Sequence, residues 1–584
     1  MTKKTNFAPV QIDAYKIGHV FQYKQGTEYV YSNFTPRSGK LSNVLGSKGI
    51  YFVGLQYFIK NYLIDDWNTT FFSQPKEKVI AQYKKSINRC MGYDVPVEHI
   101  EALHDLGYLP LEIKALPEGS YVPYGVPVLT IINTDPRFAF ITNMIETVLS
   151  DELWLPITGA TTYMAFRKNS LMFSEATCDD NSFVLWQNHD FSMRGMQNRL
   201  AAALNGFAVI AMGSFGTDTL PAIELAIDYY GADEDNELIA MSVAATEHSV
   251  MTAGNDGEEF ETLEDLLTRV YPSGMLATVA DSYDFWRYVT EYLARLKDVI
   301  LARDGKLIIR PDSGDPVDII CGTGSNFQDL SDCYHYEDSP VNHPDFFEDC
   351  LLDEVREDTP HGEHGPCEYE QTYIINGRLY TATIDNIQWN RHDKQYYYID
   401  MYGKAEITVK EIEITPESKG LIQCLWDIFG GTINTKGYKV LNPKIGAIYG
   451  DSITLERQYN ILQKLKDAGF ASSNIVFGVG SYSYSYVTRD THGMAFKTTW
   501  AKINGKGYTV FKDPKTDRDK NGKSIKKSAR GLLMVTTGEN GYELVENVTP
   551  KQEKHGCLQT VFLNGVLTKE YTLAEIRDTV DKHI

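Results

Sequence analysis

The stretch that decides the fold is Leu307-Ile308-Ile309-Arg310-Pro311-Asp312-Ser313-Gly314, in which a short apolar run ends abruptly in a charged turn. This pattern occurs seven times between residues 183 and 482. The other predicted strands are residues 183–188, 207–212, 238–243, 277–280, 445–449 and 475–477. Helix-like stretches separate most of them, which predicts βαβ units and a parallel sheet. Functional residue types at successive strand ends are typical of an α/β barrel enzyme.

The composition excludes several classes of function. The chain has 584 residues and a net charge of −22, so its field repels nucleic acid and anionic membranes. No apolar run approaches the length that spans a bilayer, and the basic start Met1-Thr2-Lys3-Lys4 is not followed by an apolar signal core. We therefore expect a cytoplasmic protein with reduced cysteines that binds neither nucleic acid nor membranes.

The pattern of strands and helices divides the chain into three regions. Residues 1–160 and 495–584 are predicted to form an α+β domain built from both chain ends, and residues 161–320 and 413–494 the barrel. Residues 321–412 are acidic, rich in tyrosine and too long for a simple loop, which predicts an inserted β-rich domain. The predicted helices are residues 194–206, 220–230, 285–301, 421–429 and 573–582.

Cations at the strand ends indicate a phosphate site. Arg194, Arg310 and Arg489 each lie in a turn, and a planar guanidinium suits bidentate phosphate binding. Each arginine alone could equally form a surface ion pair, but three on one predicted face favour phosphate. Gly450-Asp451 and residues 478–481 follow two strands, where glycine lets backbone N–H groups approach phosphate oxygens.

Nine short motifs then occur in a fixed order. They are Asp13-Ala14-Tyr15-Lys16, Gly54-Leu55-Gln56-Tyr57, residues 189–195, Gly216-Thr217-Asp218-Thr219, Glu247-His248-Ser249, Asp281-Ser282-Tyr283-Asp284, residues 308–314, Gly450-Asp451 and Thr488-Arg489-Asp490. Together they resemble the nicotinamide phosphoribosyltransferase family, of the type II phosphoribosyltransferase fold. The resemblance covers nearly the whole chain outside residues 321–412 and implies an irregular α/β barrel.

The resemblance implies a reaction and its partners. Nicotinamide and 5-phosphoribosyl 1-pyrophosphate would give nicotinamide mononucleotide and pyrophosphate, in NAD salvage. It also implies Mg²⁺, ATP as an activating co-substrate, and a homodimer with shared active sites. Nicotinate phosphoribosyltransferase on the same fold is the alternative. A non-catalytic binding protein is a further one, against which the presence of His248, Arg310 and Asp312 argues.

The catalytic residues implied by the resemblance are His248, Asp281 and Asp312. His248 would take a phosphoryl group from ATP, which needs one imidazole nitrogen free and the other held by an acceptor. Asp281 or Glu247 could be that acceptor, and the resemblance favours Asp281. Asp312 and Asp451 would accept ribose hydroxyls, although an aspartate in a turn often only caps it.

The base pocket is assigned in the same way. Phe191 would stack on the pyridine ring, with Arg310 nearby, and Tyr15 of a second subunit would cover the other face. Asp218 can accept the N–H of a carboxamide but repels the carboxylate of nicotinate. Asp218 therefore favours nicotinamide as the substrate.

The remaining assignments concern phosphates and a possible metal. The resemblance gives phosphate or pyrophosphate contacts to Arg194, His248, Arg310, Asp312, Gly450, Asp451, Ser481, Arg489, Arg37, Lys497, Lys512 and Lys520. Ser452 and Ser481 stand where the family often has glycine. The insertion holds Cys321, Cys333, Cys350 and Cys367 with four histidines, but no Cys-x-x-Cys pair, so a zinc site stays open.

Overall fold

The computed structural model describes residues 6–352, 368–385, 387–390, 395–398, 406–512, 516, 528–539 and 541–583. At its centre is a six-stranded sheet in which all neighbouring strands run parallel. In sheet order the strands are Asn188–Phe191, Ile475–Gly480, Ile445–Tyr449, Asp304–Arg310, Ser273–Val279 and Ala244–Ala245.

A further stretch, residues 215–218, closes this sheet into a ring through single bridges. Thr217 pairs with Asp190 on one side, and Gly216 pairs with Met241 on the other. Met241 leads into Ala244–Ala245, so the six strands and residues 215–218 form the seven staves of the barrel. The sequence also predicted seven strands, but with residues 207–212 in the place of residues 215–218. The predicted fold class, an irregular α/β barrel, is confirmed.

The first predicted strand is shifted along the chain. Residues Val184–Gln187 form a helical turn, and the strand is Asn188–Phe191. Its register is set by a parallel ladder in which His189 pairs with Gly478 and Phe191 with Gly480. The motif residues His189 and Phe191 therefore lie on the strand itself and not in the turn after it.

The prediction of a second strand at residues 207–212 is wrong. These residues continue the helix Arg199–Ala211, whose residues from Ala201 onward are all buried. The helix packs between Glu146–Thr177 and Leu220–Tyr230. A helix that is apolar on every side shows no period that separates it from a buried strand.

Helices cover the outside of the barrel. The main ones are Glu146–Thr177, Arg199–Ala211, Leu220–Tyr230, Glu259–Asp265, Lys297–Ala302, Pro316–Cys321, Pro416–Phe429 and Leu455–Asp467. Residues 285–301 are helical in short segments, and Tyr288, Val289 and Leu293 of their apolar stripe are buried in the core, as predicted. No helix among the described residues is long and apolar enough to cross a membrane.

A second sheet joins both ends of the chain. Its seven strands, in sheet order, are Lys506–Thr509, Met494–Ile503, Thr27–Pro36, Leu129–Asn133, Leu111–Ala115, Gln559–Leu563 and Val566–Leu567. The helices Lys76–Met91 and Glu98–Leu106 belong to this part. The helix Glu146–Thr177 runs across the boundary predicted at residue 160. The last helix, Leu573–Asp581, packs on the barrel core and not on this sheet.

The insertion has its own hydrophobic core. Four strands form its sheet: Gln328–Asp329, Glu368–Ile375, Arg378–Asp385 and Glu406–Ile412. Its entry and exit touch, because a Cβ on Gly420 would lie 2.2 Å from the backbone nitrogen of Gly322. His361, His364 and Cys367 lie outside the described residues. Within the described ranges no group of three or more His, Cys, Asp or Glu residues could hold a metal ion.

Candidate active site

A cavity of about 1050 Å³ opens at the carboxyl ends of the barrel strands. The predicted site residues on its wall are Phe191, Arg194, Asp218, Arg310, Asp312, Gly450, Asp451 and Ser481. Arg199, Thr246 and Tyr482 also line it, and the sequence patterns assigned no role to Arg199 or Thr246. The cavity therefore brings together residues from separate staves, as the strand-end pattern predicted.

Phe191 rests against two glycines on the barrel wall. A Cβ on Gly478 would lie 2.2 Å from the Phe191 ring, and one on Gly450 would lie 2.9 Å from it. Any larger residue at Gly478 would displace the ring. The guanidinium carbon of Arg310 lies 5.9 Å from the ring centre, so a cation also approaches this aromatic surface. Gly478 was not predicted as a site residue, although its place in a Gly-rich strand end was a signal.

Asp218 stands beside Phe191 with two hydrogen-bond donors. His189 Nε2 lies 3.0 Å from Asp218 Oδ1, and the Ser242 hydroxyl donates to the same oxygen. Burial alone would raise the pKa of Asp218, but these two bonds and the charge of Arg310 hold the pKa below its ordinary value. The side chain is 47% exposed, so a charged carboxylate faces the cavity. No sequence pattern predicts a role for His189 or Ser242, although His189 shares a strand face with Phe191.

His248 is oriented by Asp281. Its Nε2 lies 3.3 Å from Asp281 Oδ1, while the other oxygen of Asp281 accepts the backbone N–H of Asp312 at 3.0 Å and the Ser313 hydroxyl at 2.6 Å. The Asp281 side chain is 5% exposed and that of His248 is 47% exposed. Glu247, the other candidate acceptor, instead accepts from the Ser249 hydroxyl.

Arg310 presents nitrogen atoms to the cavity. Its side chain is 16% exposed, and its Nη2 lies 3.7 Å from Asp312 Oδ2, beyond hydrogen-bond length. Its Nε is buried and has no hydrogen-bond partner among the described residues. A buried N–H without a partner costs free energy.

Ser452 and Ser481 are accommodated differently in the fold. Ser452 has a φ of 51°, the left-handed region, and its hydroxyl donates to Asp451 at 2.9 Å. Arg457 Nη1 donates a hydrogen bond to the Ser452 carbonyl at 2.7 Å. The Ser481 hydroxyl fills the space beside Gly195, where a Cβ would lie within 1.9 Å of it. Both side chains thus stay on the wall of the cavity.

Arg489 does not share the face of Arg194 and Arg310, so that prediction is wrong for a single chain. Arg489 lines a separate hollow of about 530 Å³ together with Asp13, Tyr15 and Trp154. The reason is the path of the chain, which leaves the barrel after the short helix Ser481–Ser485 and enters the strand Met494–Ile503 of the other sheet.

The hollow lies beside a group of cations. Burial lowers the pKa of Lys497, and the positive charges of Arg37, Arg489 and Lys512 lower it further, against the opposing charge of Glu146. These four cations, all assigned to phosphate by the resemblance, are therefore neighbours. Lys520, the remaining predicted contact, lies outside the described residues.

Comparisons with known proteins agree with this architecture. The model of the nicotinate phosphoribosyltransferase family matches residues 186–339 and 409–565, and the model of the N-terminal domain of nicotinamide phosphoribosyltransferase matches residues 7–113. The class is therefore that of the phosphoribosyltransferases, and most of the insertion falls between the two matched segments.

Relatives with curated names identify the family within the phosphoribosyltransferases. Nicotinamide phosphoribosyltransferase of Acinetobacter baylyi is 42% identical over 582 residues, covering 98% of this chain and 97% of its own length. The proteins of the same name from Mycoplasma genitalium and Xanthomonas campestris pv. campestris are 30% and 27% identical, covering 90% and 97% of this chain and 96% and 97% of their own lengths. The chain belongs to the nicotinamide phosphoribosyltransferase family.

Proposed function

We propose that the protein transfers a phosphoribosyl group from 5-phosphoribosyl 1-pyrophosphate to nicotinamide, giving nicotinamide mononucleotide and pyrophosphate for NAD salvage in the cytoplasm. The observation that carries this proposal is the charged Asp218 beside Phe191 in the cavity. A carboxylate there accepts the N–H of a carboxamide and repels a second carboxylate. The names of the curated relatives support the same substrate.

The chemistry needs positioning and charge stabilisation more than proton transfer. The pyridine nitrogen attacks C1 of the ribose while the bond from C1 to the pyrophosphate oxygen breaks, and no base is needed. Phe191 holds the ring, and Arg310 and Arg194 stabilise the departing pyrophosphate. Asp312 and Asp451, on the same wall, accept ribose hydroxyls.

His248 is the proposed acceptor of a phosphoryl group from ATP. Asp281 holds the N–H on Nε2, which leaves Nδ1 with a lone pair. A bond forms from Nδ1 to the γ-phosphorus, the bond from that phosphorus to the β,γ-bridging oxygen breaks, and ADP leaves. The phosphorylated histidine then favours productive binding of the phosphoribosyl donor.

Mg²⁺ is the proposed metal, bound mainly through the substrate. Mg²⁺ usually takes one or two protein carboxylates together with phosphate oxygens and water. Asp312 and Asp451 supply carboxylates on the cavity wall, so the residues fit this ion. When bound, the ion neutralises charge on the pyrophosphate.

We further propose a homodimer in which each active site combines the cavity of one chain with the hollow of its partner. The cavity holds Arg194 and Arg310, whereas the hollow holds Tyr15 and Arg489. Within one chain these residues line separate spaces. A ligand with both a ribose 5-phosphate and a pyrophosphate carries anionic groups at two ends, which suits cations held in two places.

A turnover assay tests the proposed function. Purified protein with 5-phosphoribosyl 1-pyrophosphate and Mg²⁺ is given nicotinamide or nicotinate, each with and without ATP, and both nucleotides are quantified. We expect nicotinamide mononucleotide to dominate and ATP to accelerate its formation. Preferred formation of the nicotinate nucleotide would instead support the alternative, and no nucleotide from either base would contradict both.

A further inference from the structure

The last helix of the chain, Leu573–Asp581, contacts the residues that lead into the two staves of Asp218 and Ser242. Its residue Arg577 reaches four backbone carbonyls. Nε donates to Ile210 at 3.2 Å, and Nη1 donates to Leu238 at 3.1 Å. Nη2 donates to Ile239 at 2.6 Å and to Ser214 at 3.4 Å. One guanidinium therefore bridges the residues that lead into the stave 215–218 and those that lead into the stave 241–245, which runs from Met241 to Ala245.

These two staves are the least regular part of the barrel. Between them the backbone makes two hydrogen bonds, from Met241 to Phe215 at 2.8 Å and from Thr217 to Met241 at 3.1 Å. Arg577 adds its bonds just before this point, at Ser214 and Ile239. It therefore supplies hydrogen bonds between these two staves at a place where other strands are joined by a regular β-ladder.

The same two staves meet again in the base pocket. Asp218 ends the first stave, Ser242 belongs to the second, and the Ser242 hydroxyl donates to Asp218. The guanidinium lies four residues before Asp218 on one stave and three residues before Ser242 on the other, as the positions of Ser214 and Ile239 show. The distance between Asp218 and Ser242 thus depends on how the staves are held at Arg577.

We propose that Arg577 is a positioning residue for the base pocket, which acts by holding Asp218 and Ser242 at a fixed separation. It touches no substrate itself. The proposal rests on the proposed function, since the base that Asp218 binds is taken to be nicotinamide. It assigns to the C-terminal helix a role in selecting the base, whereas the cations that bind phosphate lie on other elements.

Arg303 offers a matched control. It is a buried arginine that, like the partly buried Arg577, donates to backbone carbonyls near the start of a barrel strand, with bonds to Tyr271 at 2.6 Å, Ser273 at 3.0 Å and Gly274 at 2.9 Å. The strand it holds, Ser273–Val279, carries no residue of the base pocket. Loss of Arg303 should therefore cost stability without a selective effect on nicotinamide.

The test compares Arg577→Met, Arg577→Lys and Arg303→Met. For both Arg577 variants we expect the KM for nicotinamide to rise about tenfold, while the KM for 5-phosphoribosyl 1-pyrophosphate stays within about twofold. Arg577→Lys should show the same rise, because the ammonium group of lysine cannot bond to both staves at once as the planar guanidinium does. Unchanged KM values, or equal rises for both substrates, in folded Arg577 variants would overturn the inference.

Hydrogen exchange gives a readout independent of catalysis. In Arg577→Lys the amides of Thr217 and Met241 should exchange faster than in the wild type, while those of Ile445–Tyr449 should not change. Unchanged exchange at Thr217 and Met241 would overturn the proposal. If the Met and Lys variants do not fold, Arg577→Gln, which keeps an N–H donor, takes their place. A wild type that makes no nicotinamide mononucleotide would refute the proposed function, which separates the two failures.

Discussion

Asp218 is the residue proposed to distinguish nicotinamide, whose carboxamide is neutral, from nicotinate, which carries a carboxylate. It is held by His189 and Ser242, and its pKa lies below the ordinary value, so the charge persists at neutral pH. Like charges repel, but the Asp218 side chain is 47% exposed and solvent screens the repulsion, so we expect discrimination of at least about tenfold.

Replacing Asp218 by serine should relax the choice of base. Without the carboxylate, the ratio of kcat/KM for nicotinamide over nicotinate should fall by at least about tenfold. Ser242→Ala is the control, because it removes a hydrogen bond to Asp218 but keeps the charge. An unchanged ratio in Asp218→Ser would show that another group selects the base.

His248→Ala should abolish the stimulation by ATP while leaving slow synthesis without ATP. The phosphoryl acceptor is lost, but the pockets for the base and the donor remain. ATP labelled at the γ-phosphorus should label the wild type and Glu247→Gln, and not His248→Ala. Asp281→Asn should label weakly, since Asp281 orients the ring. Equal labelling of His248→Ala and wild type would place the phosphoryl group on another residue.

At the scale of elements, the charged turns were the most informative part of the sequence. The turns after residues 307–309 and 445–449 could be located because a buried strand in a parallel sheet is a short apolar run with a sharp end. The helix Arg199–Ala211 could not, because burial on every side removes the amphipathic period. His189 and Ser242 could not be predicted, because both hydrogen-bond to Asp218, which only the folded chain brings close to them.

Sequence order also predicts the wrong neighbours where the chain passes between the barrel and the second sheet. Arg489 follows a barrel strand in sequence but lies in the connection to the second sheet. The helix Leu573–Asp581 is adjacent in sequence to strands of that sheet but packs on the barrel. Sequence order predicts neighbours within one layer and fails where the chain crosses to another.

The insertion should be dispensable for the chemistry. It has a separate core, and Gly322 and Gly420 touch where the chain enters and leaves it. Replacing residues 322–411 by a short Gly/Ser linker should keep both KM values within about threefold, because a shorter connection changes the closure free energy little. A large rise in either KM, in a variant that still folds as the wild type does, would show that the insertion closes over the site.

At the scale of the whole molecule, the cations proposed to bind phosphate lie in two places on an acidic chain. The net charge is −22, yet Arg194 and Arg310 line the cavity, while Arg489 lines the hollow. Burial lowers the pKa of Lys497, and the charges of Arg37, Arg489 and Lys512 lower it further. In the homodimer proposed above, two-fold symmetry would place the hollow of each chain against the cavity of the other through one repeated contact. Each proposed site would then combine cations from both chains.

The most direct test of this account uses heterodimers with two affinity tags. One pairs an Arg310→Ala chain with an Arg489→Ala chain, and the other pairs a wild-type chain with a chain that carries both substitutions. If sites are shared, the first heterodimer has one intact site and should retain about half of the wild-type activity, whereas the second has none and should be nearly inactive. If each chain holds a complete site, the order is reversed, and that result would contradict the account.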